Sequence, residues 1–280
     1  MTNLIIKRIS LKIKILPQLN IYSYFQYAYV IIVNIMKSQV LTYVKDVIVI
    51  VALHSIPRKI FNLFEDYGLI IKVEKGNHIF REGERAENIF FIQNGAIQIS
   101  KETEQGKELT IRIGGANSII GESAMFCKVN YHSTTAKALE ASQLLALHTD
   151  TLELLLSENP PLLVEYLKWL QIENMKHQSR LRDLVLNGKK GALFSTLIRL
   201  ANTYGEFRSD NEVLIKFPLT NTEIANLCAT SREMINRMLN DLKKHHIISF
   251  DKSYITILNL QFLKDEIACE NCPLNICRID

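Results

Sequence analysis

Cys269, Cys272 and Cys277 fall in one short run, Cys269-Glu270-Asn271-Cys272-Pro273-Leu274-Asn275-Ile276-Cys277. The chain has 280 residues and five cysteines, so three of the five crowd into this C-x2-C-x4-C stretch near its end. Thiolates at this spacing can close around a single soft metal centre, either zinc or an iron–sulfur cluster. Three thiolates leave a tetrahedral site one ligand short. Zinc would complete it with a histidine or a further cysteine, for which His245, His246 and Cys228 are candidates. A [4Fe-4S] cluster needs one ligand per iron, and cysteine is the usual donor. A thiol–disulfide switch between Cys269 and Cys272 is a third chemistry open to this spacing. The odd cysteine count gives no disulfide framework, so reduced thiols in a cytoplasmic setting are expected.

A second group of residues could read nucleic acid. In the window Leu219 to Leu242, Ile224, Ala225 and Leu227 can pack one short helix against Ile235, Met238 and Leu239 of the next. Ala229-Thr230-Ser231 is the turn between them. Arg232, Glu233, Asn236 and Arg237 are left on the outer face, close to the second helix's N-terminus, the end that enters the major groove in such motifs. Arginine can donate two hydrogen bonds to guanine, and glutamate can accept one from cytosine. Thr220, Thr222, Ser231, Lys243 and Lys244 are placed to meet phosphates. Ile247–Phe250 and Tyr254–Ile257, joined at Asp251-Lys252-Ser253, predict a β-hairpin, and with a preceding helix over Ala192–Tyr204 the segment reads as a winged helix.

These groups need elements to position them. Ser157-Glu158-Asn159-Pro160-Pro161 predicts a helix start and Asn187-Gly188 a stop. Between them Leu163, Leu167, Leu170, Leu181 and Leu184, with Trp169 and Ile172 beside them, form a stripe about four heptads long. A second copy of the chain is its expected partner, with Asn174 and His177 near the seam. Upstream, short β runs alternate with glycine turns: Leu69–Val73, His78–Arg81, Ile89–Ile92, Ala96–Ile99 and Leu109–Ile113. Asn94-Gly95 between two of them predicts a hairpin. The spacing predicts a jelly roll.

Lys and Arg number 33 against 29 Asp and Glu, a net charge of +4, which fits nucleic-acid binding without requiring it. No nucleophile–base pair, phosphate loop or substrate-sized constellation is visible, which argues against an enzyme. Residues 1–36 stand apart: Lys7, Arg8, Lys12 and Lys14 precede an uncharged stretch, Ile15–Met36. That stretch is long enough for a membrane span, but Pro17, Gln18, Asn20 and Gln26 dilute it, and Met36 offers an alternative start. A dispensable extension with no membrane role is the expectation.

Barrel, long helix and winged helix in this order resemble the Crp/Fnr transcription regulators over about residues 40 to 262. The resemblance is most specific at Thr230-Ser231-Arg232-Glu233-Met234-Ile235-Asn236-Arg237. It implies an α+β chain with a cyclic-nucleotide-binding-like β jelly roll, a dimerisation helix and a C-terminal winged helix-turn-helix. The corresponding segments are an N-terminal extension at 1–39, the barrel at 40–157, the dimer helix at 158–188, the DNA-binding domain at 189–262 and the cysteine tail at 263–280. The residues matching Arg232, Glu233 and Arg237 read a TGTGA-type half-site in that family, so a homodimer on palindromic double-stranded DNA is expected, with RNA polymerase as a partner. Members that bind cyclic AMP hold its phosphate with an Arg-Ser pair after a Gly-Glu segment. Gly121-Glu122 matches, but the pair falls on His132-Ser133, which argues against cyclic AMP as a ligand. The tail resembles the Bacillus-type Fnr branch, in which three C-terminal cysteines and an aspartate hold a [4Fe-4S] cluster. Asp183 falls at the matching place. Enteric-type Fnr proteins carry their cluster cysteines near the N-terminus, whereas this chain has none before Cys127. The resemblance implies oxygen-responsive control of anaerobic respiration and fermentation genes.

Overall fold

The computed structural model describes residues 56–127, 130–209 and 211–280. The extension at 1–39, its uncharged stretch and the alternative start at Met36 lie outside the described residues. Among the described residues, no helix is long and apolar enough to cross a membrane.

The barrel is built from β1 (Leu69–Val73), β2 (His78–Phe80), β3 (Asn88–Asn94), β4 (Ile97–Glu102), β5 (Glu108–Gly114), β6 (Ile119–Ile120), β7 (Thr135–Ala138) and β8 (Ser142–His148). They form two antiparallel four-stranded sheets, in the orders β1-β8-β3-β6 and β2-β7-β4-β5. Side-chain alternation divides β3 and β8 between two cores. In β3, Phe90 and Ile92 point between the sheets, where they join Phe80, Ile97, Ile99 and Leu144. Ile89 and Phe91 point the other way, into a core shared with Leu145 and Leu147 of β8. That outer core is covered by α1 (Arg58–Tyr67), α2 (Thr149–Ser157) and the start of α3 (Pro160–Leu186).

The Asn94-Gly95 turn is not the hairpin its sequence predicts. It carries the chain from the first sheet to the second, since β3 and β4 belong to different sheets. Glycine is still required there. Gly95 has φ +102°, and a Cβ on it would lie 2.1 Å from Ser142 Oγ. The polar turn around Gly106 does close a hairpin, β4 with β5.

The 27-residue helix α3 begins where expected. Asn159 caps it by accepting a hydrogen bond from Leu162 N, with prolines in the first turn. The stripe read from the sequence mixes two faces, however. Leu163, Trp169 and Leu170 pack on the barrel's outer core, and Leu184 packs on the core of the C-terminal domain. His177 is half-buried rather than on the outer face. The face left exposed follows an alternating three–four spacing: Val164, Leu167, Gln171, Asn174, Gln178, Leu181 and Val185. Leucines at 3.6-residue spacing occur on both faces of this helix, so periodicity alone does not separate them.

After Asn187 the chain turns at Gly188 and enters α4 (Gly188–Tyr204). Next come β9 (Gly205–Phe207), β10 (Val213–Ile215), α5 (Asn221–Leu227), α6 (Arg232–Lys244), β11 (Ile248–Asp251), β12 (Tyr254–Ile257) and α7 (Leu260–Glu266). The expected hairpin is there, but β9 and β10 extend it to a four-stranded sheet ordered β11-β12-β10-β9. One core joins α4, α5, α6, this sheet and α7, and takes in Ala96 and Ile113 from the barrel.

Candidate nucleic-acid interface and cysteine site

Helices α5 and α6 pack as the sequence predicts. Ile224, Ala225, Leu227, Ile235 and Leu239 are buried in the shared core, with Met238 against it. The turn between them uses Ala229 in the left-handed region, φ 51°, and Thr230 N donates to Ala225 O at 3.1 Å. This closes α5 as a Schellman motif without glycine. Arg232, Glu233, Asn236 and Arg237 are all exposed on the opposite face of α6. Two of the expected phosphate-contacting hydroxyls cap helices. Thr220 Oγ1 accepts from Glu223 N and Thr220 N donates to Glu223 Oε2 at 2.6 Å, a full capping box, with the hydroxyl also donating to Oε2 at 2.8 Å. Ser231 accepts from Met234 N at 3.3 Å, which leaves its own proton available. Thr222, Lys243 and Lys244 are exposed. Asn221 Nδ2 donates to Asn236 Oδ1 at 3.1 Å, tying the first helix to the reading face.

Glu233→Ala or Arg237→Ala should therefore cost about 1–3 kcal/mol of discrimination between matched and mismatched half-sites, with the fold unchanged, because neither side chain is buried. Competition binding with single-base variants of the half-site would check this.

The cysteine run is shaped by its backbone. Ala268 and Asn271 both take left-handed φ, 46° and 51°. Cys269 N donates to Lys264 O at 2.9 Å, so the end of α7 fixes the first cysteine. Cys277 N donates to Pro273 O at 3.0 Å, one turn further on. All three cysteines are half-buried and free. A cleft of about 230 Å³ opens beside Cys269, lined by Gln261, Lys264, Asp265, Ala268 and Asn271.

The run lies against α3 and α4. Cys272 Sγ is 3.8 Å from Ser179 Oγ, one helical turn before Asp183, and the charge of Arg182 acts on it. Burial pushes the Cys277 thiol up, while Arg199 pulls it down. Cys272, Cys269 and Asp183 also act on Cys277, so the four candidate ligands share one neighbourhood. Among the described residues, no three His, Cys, Asp or Glu side chains already stand in metal-binding positions. Cys228 is buried in the core of the reading head and donates to Thr196 Oγ1 at 3.5 Å; burial pushes its thiol up to about 11. His245 and His246 are exposed at the end of α6.

Asp183 is 3% exposed and fully engaged. Its Oδ2 accepts from Arg199 Nη2 at 2.6 Å and from Ser195 Oγ at 2.5 Å. Its Oδ1 accepts from Arg182 Nη2 at 2.7 Å and Nε at 3.1 Å. Burial alone would push the carboxyl up, but hydrogen bonds from Arg199, Ser195 and Arg182 hold it below the usual range. The fully buried Arg199 ties the elements together: it also donates to Ser179 Oγ at 2.9 Å and to Ile276 O at 3.1 Å. Beyond the cysteines, Ile279 N donates to Thr203 Oγ1, and Ile113 N of β5 donates to Ile279 O. The tail thus runs between α4 and the barrel. Apart from Arg182, next to Asp183 in the chain, these partners do not stand out in the sequence, since each is far from the group it meets. The one other local signal is Ser195 and Arg199, one turn apart on α4.

In the barrel, Glu122 is paired with the buried Arg112 at 2.9 Å. His132 is stacked on Phe80 with ring centroids 3.7 Å apart, and burial lowers its pKa, which keeps it neutral at pH 7. Ser133 Oγ lies 3.2 Å from Ser123 Oγ.

Residues 70–159 match the family model for the cyclic nucleotide-binding domain, and residues 192–266 match that for the Crp-like helix-turn-helix domain. The chain belongs to the Crp/Fnr family and is a DNA-binding transcription regulator related to anaerobic regulators; its relatives are regulators, not enzymes. It is 46% identical over 222 residues to the anaerobic regulatory protein of Bacillus subtilis (strain 168), spanning 79% of this chain and 93% of that one. It is 26% identical over 187 residues to the fumarate and nitrate reduction regulatory protein of Vibrio cholerae, spanning 67% and 74%. The c-di-GMP responsive global regulator CLP of Xanthomonas campestris shares the fold, with a TM-score of 0.63 at 16% identity over 72% of this chain and 99% of that one.

Proposed function

We propose that this regulator senses oxygen through a [4Fe-4S] cluster held by Cys269, Cys272, Cys277 and Asp183. In this reading the loaded homodimer binds a palindromic TGTGA-type promoter site when oxygen is scarce and works with RNA polymerase on genes of anaerobic metabolism. The likeness to the Bacillus anaerobic regulatory protein supports it. The observation that carries it is the docking of the cysteine run on Ser179 to Asp183 of α3 and, through Arg199, on α4 of the reading head.

The donor set fits the group. Three thiolates and a carboxylate would bring negative charge to a region crowded with cations. Arg182 and the fully buried Arg199 both donate to the Asp183 carboxylate, and Arg199 also acts on Cys277, so negative charge at the cysteine site would meet cations already in place. The cluster, when bound, supplies an oxygen-labile centre that is lost in air. The chain's own residues supply the transmission. Arg199 joins the dimer helix, the reading head and the tail, so a change in how the tail is held alters how the head is held. The exposed face of α3 supplies the two-fold symmetry that a palindrome requires. In the barrel, Arg112 is paired with Glu122 and His132 is neutral, which argues against a cyclic phosphodiester as the ligand.

Fluorescence anisotropy on a TGTGA palindrome and on a scrambled duplex tests the proposal, with protein kept anaerobic or exposed to air. Specific affinity should fall at least about tenfold on exposure, while weak salt-sensitive binding to the scrambled duplex persists. Equal affinity in both preparations would contradict it.

A further inference from the structure

Building on the cluster reading above, we infer that Arg182 is a movable cover on Oδ1 of Asp183, and that Glu270 is where the cover goes. The two oxygens of Asp183 are held differently. Oδ2 is gripped by Arg199 and Ser195, both on α4 and both buried. Oδ1 is held by Arg182 alone, through Nε and Nη2. The Arg182 side chain is 28% exposed, against 1% for Arg199, so it can leave without breaking the core.

Arg182 already has its second partner. Its Nη1 pairs with Glu270, which sits between Cys269 and Cys272 in the cysteine run. The guanidinium therefore bridges the acid on α3 and the acid on the tail. A carboxylate oxygen doubly hydrogen-bonded to a guanidinium is a poor metal donor, because its electron pairs are already engaged. For Asp183 to ligate through Oδ1, Arg182 must let go. Glu270 keeps the guanidinium paired when it does, and Arg199 and Ser195 keep the carboxylate aimed. Arg182 and Glu270 are thus positioning residues that set how readily the site fills and empties.

The two variants have opposite signs. Anaerobic reconstitution of the full chain with ferrous iron and sulfide would read iron and sulfide per chain and the rate of visible bleaching in air. Arg182→Gln should reach half-loading at about 3- to 10-fold less iron and bleach more slowly than the wild type. Glu270→Gln should need more iron, because the guanidinium then has only Asp183 to pair with. The double variant should behave like Arg182→Gln, and Arg182→Lys should fall between wild type and Arg182→Gln. A structural role for Arg182 would weaken loading, not strengthen it. An Arg182→Gln protein that loads no better than wild type, or worse, overturns the inference while leaving the cluster reading intact. A wild-type chain that takes up no iron sinks the cluster reading, and this inference with it.

Discussion

Cys272→Ser is expected to remove the cluster, lower operator affinity on the order of 10- to 100-fold without oxygen, and leave the dimer in place. Serine is nearly isosteric but is a poor donor to iron at neutral pH. Cys272 lies at the centre of the run and is the cysteine that touches α3, through Ser179. The buried anchors of the tail, Ile276 and Ile279, are untouched, so folding should not suffer. Iron analysis, sedimentation and anisotropy on one preparation separate the three effects. Operator binding as tight as anaerobic wild type would mean that the tail does not control the reading head.

Replacing Leu167 and Leu181 together with aspartate should convert the dimer to single chains of 32.1 kDa. Both are more than half exposed in the single chain, at 52% and 61%, so the substitutions leave its own cores alone. In a two-fold pair each leucine would be buried, for about 1.5–3 kcal/mol per side chain. Four such losses, with like charges facing one another, exceed what a helix seam with Gln171, Asn174 and Gln178 at its middle can absorb. Specific binding to the palindrome should fall by orders of magnitude. Iron per chain should stay the same, because the tail docks on the α3 of its own chain. Loss of iron along with the dimer would place part of the ligand set on the partner subunit.

The reading head was legible because its two faces differ in kind. Ile235 and Leu239 alternate at helical spacing with Arg232, Glu233, Asn236 and Arg237, and each set ends where the pattern puts it. The β strands up to Ile113 were legible for the same reason, with glycine turns between apolar runs. Ser142–His148 was not, because β8 is the second strand in its sheet and is buried on both faces, which erases alternation. The Asn94-Gly95 turn misleads because a jelly roll uses tight turns to change sheets as well as to close hairpins. The stripe on α3 misleads because Leu163 and Leu170 serve the barrel while Leu167 and Leu181 face outward. Asp183 was found only through a resemblance. Read alone, Ser179-Arg180-Leu181-Arg182-Asp183 suggests a surface carboxylate paired with an arginine; Arg182 is indeed a partner, but the group is buried. Arg199 and Ser195 lie beyond a helix break, and nothing local announces that they meet it.

Anaerobic purification of the full chain, with iron, sulfide and zinc counted beside a visible spectrum, tests directly whether the cysteine tail holds a [4Fe-4S] cluster. About four irons and four sulfides per chain are expected, with a brown colour that bleaches in air. About one zinc per chain, no sulfide and no colour would contradict the cluster reading, and would make the cysteine tail a structural clasp on a DNA-binding protein that answers to some other signal.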